Sequence, residues 1–179
     1  MTTLVKIKNG WAEKVKAHPF YLFFVLFFVL LFIFQLITHI SFIAYPLTWI
    51  TTHATWYVLL ITGLPVTMEG VIISTPRNIN MEIIYECTGI YGIIVYLSAV
   101  LATPKVSWTK KLMGCWLGLI IIWLMNIVRL VTIYWVTYEY PPAFDFIHTY
   151  FWQLFLIVVV ILVYAVWFKK NGSRAFSKK

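Results

Sequence analysis

The sequence predicts an all-α integral membrane protein. It has four transmembrane helices, one re-entrant or interfacial helix and a small extracellular hairpin or loop, with both termini cytoplasmic. Three observations carry this reading. The 179 residues are 62% hydrophobic and 11% charged, whereas a soluble domain is about half apolar and about a quarter charged. The apolar residues fall in runs of about 20, enough for a helix rising 1.5 Å per residue to cross about 30 Å of hydrocarbon. Finally, twelve of the fourteen Lys and Arg residues lie in three clusters between or beyond those runs.

Hydropathy sets the elements in order. The first span runs from about Phe20 to Ile40, after a basic N-terminus (1–19) with no small-residue cleavage site, so it reads as retained. A second apolar stretch, about Leu47–Leu64, is interrupted by Thr51, Thr52, His53 and Thr55. Further spans run from about Cys87 to Ala102, Leu112 to Val136 and Thr149 to Phe168. Residues 20–168 thus form one polytopic membrane core, followed by a basic tail (169–179). Trp and Tyr residues gather at span ends, where amphipathic rings favour the headgroup level.

Charge orients the chain. Lys6, Lys8, Lys14 and Lys16 precede the first span, Lys105, Lys110 and Lys111 separate the third and fourth, and Lys169, Lys170, Arg174, Lys178 and Lys179 follow the last. Basic residues collect on the cytoplasmic side, so all three clusters face inward. The net charge of +8 is therefore a topology signal with an attraction to anionic lipid, and its distribution argues against a nucleic-acid patch, which is a poor second reading. Parity then constrains the second stretch. The first span exits outward and the third begins outside, so Leu47–Leu64 re-enters or lies in the outer interface. Gly70–Ser74 and Met81–Tyr85 read as short strands around the turn Thr75-Pro76-Arg77-Asn78.

This layout brings three reactive residues to one layer. Cys87 opens the third span and His148 precedes the fifth. Arg129 lies 18 residues past Lys111, about 27 Å along a helix, and so near the outer boundary. A thiol becomes a strong nucleophile only as a thiolate, which a helix N-terminus and a nearby cation favour. Arg129 supplies a permanent charge for the thiolate or for the oxyanion of a tetrahedral intermediate. His148 can take the thiol proton and return it to a leaving amine. Asn126 shares the face of Arg129, Asp145 precedes His148 by three residues, and Thr88 and Gly89 leave room for a substrate backbone. Glu86 is expected to face outward. His39 and His53 are rival bases. Cys115 lies near the inner face as core packing, so both thiols are free. No ligand spacing supports a metal and no fingerprint supports a cofactor.

The set Glu86-Cys87-Thr88-Gly89, then Asn126-x-x-Arg129, then His148 before the last span, resembles the exosortase/archaeosortase family of membrane-embedded cysteine transpeptidases in its compact form. The resemblance covers roughly Glu86 to His148 with the flanking spans. The chain has Thr88 where the family commonly has Ser, and no Gly a few residues beyond the His. The resemblance implies a catalytic trio of Cys87, Arg129 and His148. The implied substrates are exported proteins with a C-terminal tail of short motif, hydrophobic helix and basic cluster. They would be cut on the outer side of the cell membrane and passed through a thioacyl-enzyme to an acceptor (an amine, a lipid or a surface polymer). Two other classes stay open on the residues alone: a small transporter or channel lined by Arg129 and the histidines, and a non-catalytic assembly subunit.

Overall fold

The structure, a computed structural model, describes residues 19–38, 41–77 and 79–172, with the side chains of 41–43 left out. The basic N-terminus with His18, the rival base His39, the turn residue Asn78 and the tail cations Arg174, Lys178 and Lys179 lie outside the described residues.

Five helices and one small sheet make up the described chain. Helix α1 (Pro19–Thr38) is followed by α2 (Ser41–Ile61) and the strands β1 (Thr67–Glu69), β2 (Ile72–Ser74) and β3 (Asn80–Glu82). A 3-10 turn, Tyr85–Thr88, leads into α3 (Ile90–Ala102) and then α4 (Trp108–Glu139). A second 3-10 turn (Pro141–Ala143) and a π-helical segment (Phe146–Phe151) lead into α5 (Trp152–Asn171). Three stretches are long and apolar enough to cross a membrane: Pro19–Thr38, Trp108–Glu139 and Pro141–Asn171.

α3 is the exception, at 13 residues. Alone it rises about 20 Å, and the 3-10 turn adds about 8 Å. Its shortness is tolerated because protein surrounds it: α1, α4 and α5 all pack on it, and eight of its residues are buried. Small residues let α4 come close. A Cβ at Gly118 would overlap the Tyr96 ring, and one at Gly114 would overlap Trp167. The Tyr96 hydroxyl donates to Gly114 O (3.0 Å), and Lys111 Nζ donates to Leu101 O (2.5 Å), capping the end of α3. Two residues predicted to lie in the loop, Lys110 and Lys111, thus belong to the first turn of α4. On the outside of the bundle, Phe20, Phe24, Phe28 and Phe32 of α1 form an exposed stripe at helical spacing. Lipid is as apolar as a core, so such a face needs no protein cover.

The second apolar stretch is helical, as expected, but begins earlier: it is one helix, Ser41–Ile61, with Pro46 inside it. Its buried threonines return their hydroxyls to the helix: Thr52 to Thr48 O and Thr55 to Thr51 O, each at 2.8 Å. Trp123 Nε1 donates to Thr51 Oγ1 (3.2 Å) and Trp135 Nε1 to Thr62 Oγ1 (3.1 Å). Matched rungs at these spacings mean that this part of α2 ascends α4 in the same direction. α2 begins three residues after Thr38, whose side chain meets Tyr85, and ends beside the sheet.

The hairpin also needs correction. The sheet has three antiparallel strands in the order β1-β2-β3, with Ile73 opposite both Met68 and Met81. The expected strands shorten to Ile72–Ser74 and Asn80–Glu82, and Thr67–Glu69 joins them through Gly70, which turns with φ +61°. The far end of α4 is the post that holds the sheet. Leu130 and Tyr134 share one buried cluster with Leu59, Leu64, Val66, Ile73 and Ile83, and the Tyr134 hydroxyl donates to Met81 O (2.8 Å). Arg77 Nη1 donates to Tyr138 O (2.6 Å), with the guanidinium 4.0 Å from the Tyr138 ring centre.

Candidate active site

Cys87 sits on the 3-10 turn, ahead of α3 rather than on it. Its amide donates to Ile84 O (2.9 Å), so the backbone N–H is used by the turn. The Thr88 hydroxyl donates to Tyr85 O (2.7 Å) from a fully buried position. Gly89 then takes φ +79°, a left-handed value that other residues reach only at a cost. A Cβ there would lie 3.0 Å from Asn126 Cβ and Cγ. The room at Gly89 is therefore filled by Asn126 of α4. Thr88 and Gly89 do not open space for a substrate backbone, as the sequence reading expects; they let α4 approach the thiol-bearing turn.

Asn126 is the bridge. It has no exposed surface. Its Nδ2 donates to Cys87 O (2.7 Å), and its Oδ1 accepts from Arg129 Nη1 (3.3 Å), one helical turn on. A fully buried amide satisfied on both atoms fixes one orientation. The guanidinium acts electrostatically on Cys87 and on His148. Its Nε is buried and meets no acceptor among the described residues.

His148 comes from the third element. Tyr140 precedes Pro141, which disfavours helix there, and α4 ends at Glu139. The chain turns through Pro141–Ala143 into the π segment, which packs on α4. π segments recur at functional sites because the wider turn re-aims side chains. The imidazole stacks on Phe144, with ring centres 5.2 Å apart and planes 10° from parallel. Asp145 is exposed and adds its charge near the imidazole, while Phe144 supplies the surface on which the ring lies. The sequence reading missed Phe144, although its spacing of four from His148 was visible. Glu86 is exposed, as expected.

Of the rivals, His53 is occupied: its Nδ1 bonds Trp49 O (2.8 Å) and its ring lies on Trp49, 3.7 Å between centres. That carbonyl can only accept, so Nδ1 carries the proton. Both thiols are free and lie in separate cores. Cys87 packs on the cluster under the sheet, and Cys115 packs on a second cluster with Ile93, Tyr96, Val100 and Ile122.

These observations define a class: a polytopic helical membrane protein with a thiol, a guanidinium and an imidazole delivered by three separate elements to one region. The sequence model of the transmembrane exosortase family matches residues 10–165. The chain belongs to that family, whose members act in membrane-embedded protein sorting. Comparison with curated proteins and with solved structures gives no match.

Proposed function

We propose that this protein is a cysteine transpeptidase, or peptidase, that cleaves a C-terminal sorting signal of exported proteins on the outer side of the cell membrane. In this reading α1, α3, α4 and α5 cross the bilayer, the basic ends face the cytoplasm, and the sheet end faces out. His148 takes the proton of Cys87, and the sulfur adds to the scissile carbonyl carbon as the C=O pair moves onto oxygen. The guanidinium of Arg129 holds that oxyanion. Collapse expels the amine, which receives the proton from His148, and leaves a thioacyl-enzyme. An incoming amine, lipid or polymer nucleophile then takes the acyl group and restores the thiol.

The observation that carries the reading is the Asn126 bridge, because a fully buried amide ties Cys87 O to the guanidinium of Arg129 and so holds the thiol-bearing turn and the cation together. The substrate tail's hydrophobic helix lies beside the spans, and α2 with the sheet forms the docking surface for its motif. The test is Cys87→Ala and Cys87→Ser, assayed for processing of a secreted protein with a motif-helix-basic tail from the same genome. Both variants should accumulate the full-length form. Normal processing by a folded Cys87→Ala protein ends the proposal.

A further inference from the structure

Among the described residues, three indole N–H groups at least partly inside the fold have acceptors. Trp123 donates to Thr51, Trp135 to Thr62, and Trp167 to Lys110 O (3.3 Å). Trp56 and Trp152 do not, and of these two only Trp56 packs on the buried cluster that Cys87 shares. Its Nε1 is buried and has no acceptor among the described residues. A buried unpaired donor is uncommon in a native structure and calls for an explanation, the more so in a membrane, where water does not compensate it.

The surroundings of Trp56 point to the explanation. It lies on α2, the helix that packs against the Tyr85–Thr88 turn. Its ring packs on the same buried cluster as Cys87, formed by Leu59, Leu64, Ile73, Leu130 and neighbours. α4, which also packs against this turn, carries a second N–H donor, Arg129 Nε, also buried and also without an acceptor among the described residues. The two helices that flank the thiol-bearing turn thus each hold one N–H in reserve. Two unpaired donors on helices that both pack against the nucleophile's turn match what a developing oxyanion requires: donors fixed before the reaction, in a site that excludes water.

We propose that the Trp56 N–H, together with the Arg129 Nε–H, binds the oxygen of the carbonyl that Cys87 attacks, which makes Trp56 a catalytic residue. The inference rests on the transpeptidase reading and adds the donor that this reading lacks. In the step, sulfur bonds to the carbonyl carbon, the π pair becomes the oxygen's third lone pair, and Trp56 and Arg129 donate to it without losing their protons.

The test separates oxyanion stabilisation from thiol reactivity. The purified full chain in detergent is acylated with p-nitrophenyl acetate, following the nitrophenolate burst, and is separately alkylated with iodoacetamide. The first reaction passes through a tetrahedral oxyanion; the second is a displacement at saturated carbon and does not. Cys87→Ala subtracts reaction elsewhere. Trp56→Phe, which keeps a ring but loses the donor, should slow acylation by about a hundredfold and leave alkylation within about twofold. Trp56→His, which keeps a ring N–H, should recover part of the loss. Trp116→Phe, on an indole that is 68% exposed on the outside of the bundle, should change neither rate. If Trp56→Phe does not fold, a benzothienyl analogue at position 56 replaces only the N–H, by sulfur, at nearly constant shape.

Equal loss in both reactions, or loss in neither, overturns the role of Trp56 while leaving the transpeptidase intact. Wild-type protein that alkylates at Cys87 but shows no Cys87-dependent acylation overturns both.

Discussion

Asn126 spends both ends of its amide on the site, one on Cys87 O and one on Arg129. Asn126→Ala strands a buried carbonyl and a guanidinium N–H, which costs about 1–3 kcal/mol for the carbonyl alone. Its activity should fall further than its thermal stability, because the thiol and the cation lose their common reference point. Asn126→Asp keeps the size but offers Cys87 O no donor, so rescue should be poor; processing assays beside melting curves separate the two effects. Arg129→Lys tests the fork. Lysine retains the charge but cannot bond Asn126 while offering a second fixed N–H, so processing should drop by at least about tenfold. Wild-type rates would show that a point charge suffices. These residues were legible early. A cation within an apolar run costs roughly 2.5–3.5 kcal/mol at the helix centre on insertion scales, so Arg129 demanded a reason before any coordinates. Trp56 was not legible, since an indole in an aromatic-rich membrane protein carries no mark until its N–H is seen to lack a partner.

Elements were readable where hydropathy dominates and misread where tertiary contact does. The long spans α1, α4 and α5 follow from apolar runs, and their ends shift only by a few residues. α2 was harder, because Thr51, Thr52, Thr55 and His53 break the apolar pattern that marks a helix in lipid. The Thr52 and Thr55 hydroxyls prove to be returned to carbonyls of their own helix, and Thr51 accepts from Trp123, which removes their polarity from the interface. β1 was missed because three residues carry no period; it exists through pairing with β2 and burial of Ile73. Gly89 shows the same limit, since its motif was visible but its neighbour was not. Gly89→Ala forces a Cβ into a left-handed backbone, costing about 1–2 kcal/mol, and against Asn126. The turn should move, and Cys87 alkylation and processing should both fall in a protein that still assembles in the membrane. Gly118→Leu should instead prevent accumulation of folded protein, because α4 would have to part from Tyr96; membrane-fraction yield reads this directly.

At the scale of the whole molecule, the two cysteines report orientation. In the proposed topology Cys87 lies at the outer edge and Cys115 one core away, toward the basic end. An impermeant maleimide added to intact cells should label Cys87 in a Cys115→Ala background, and should leave Cys115 untouched in a Cys87→Ala background until the cells are opened. The reverse pattern would invert the chain. The layered order of the fold, with the Tyr96–Gly118 core at one level and the sheet-capped cluster at the other, makes the expectation specific to depth rather than to exposure, since both thiols are only half covered.

α4 continues ten residues past Arg129, to Glu139, about 15 Å of helix, and the sheet rides on that extension. Under the proposed function, a cargo protein therefore cannot bring its folded body down to the sulfur. An extended chain covers about 3.3 Å per residue, so some four or five residues of slack stalk must separate the last structured part of a cargo from the bond to be cut. Cargo whose stalk is trimmed below that length should escape trimming of its tail altogether, whatever motif it carries.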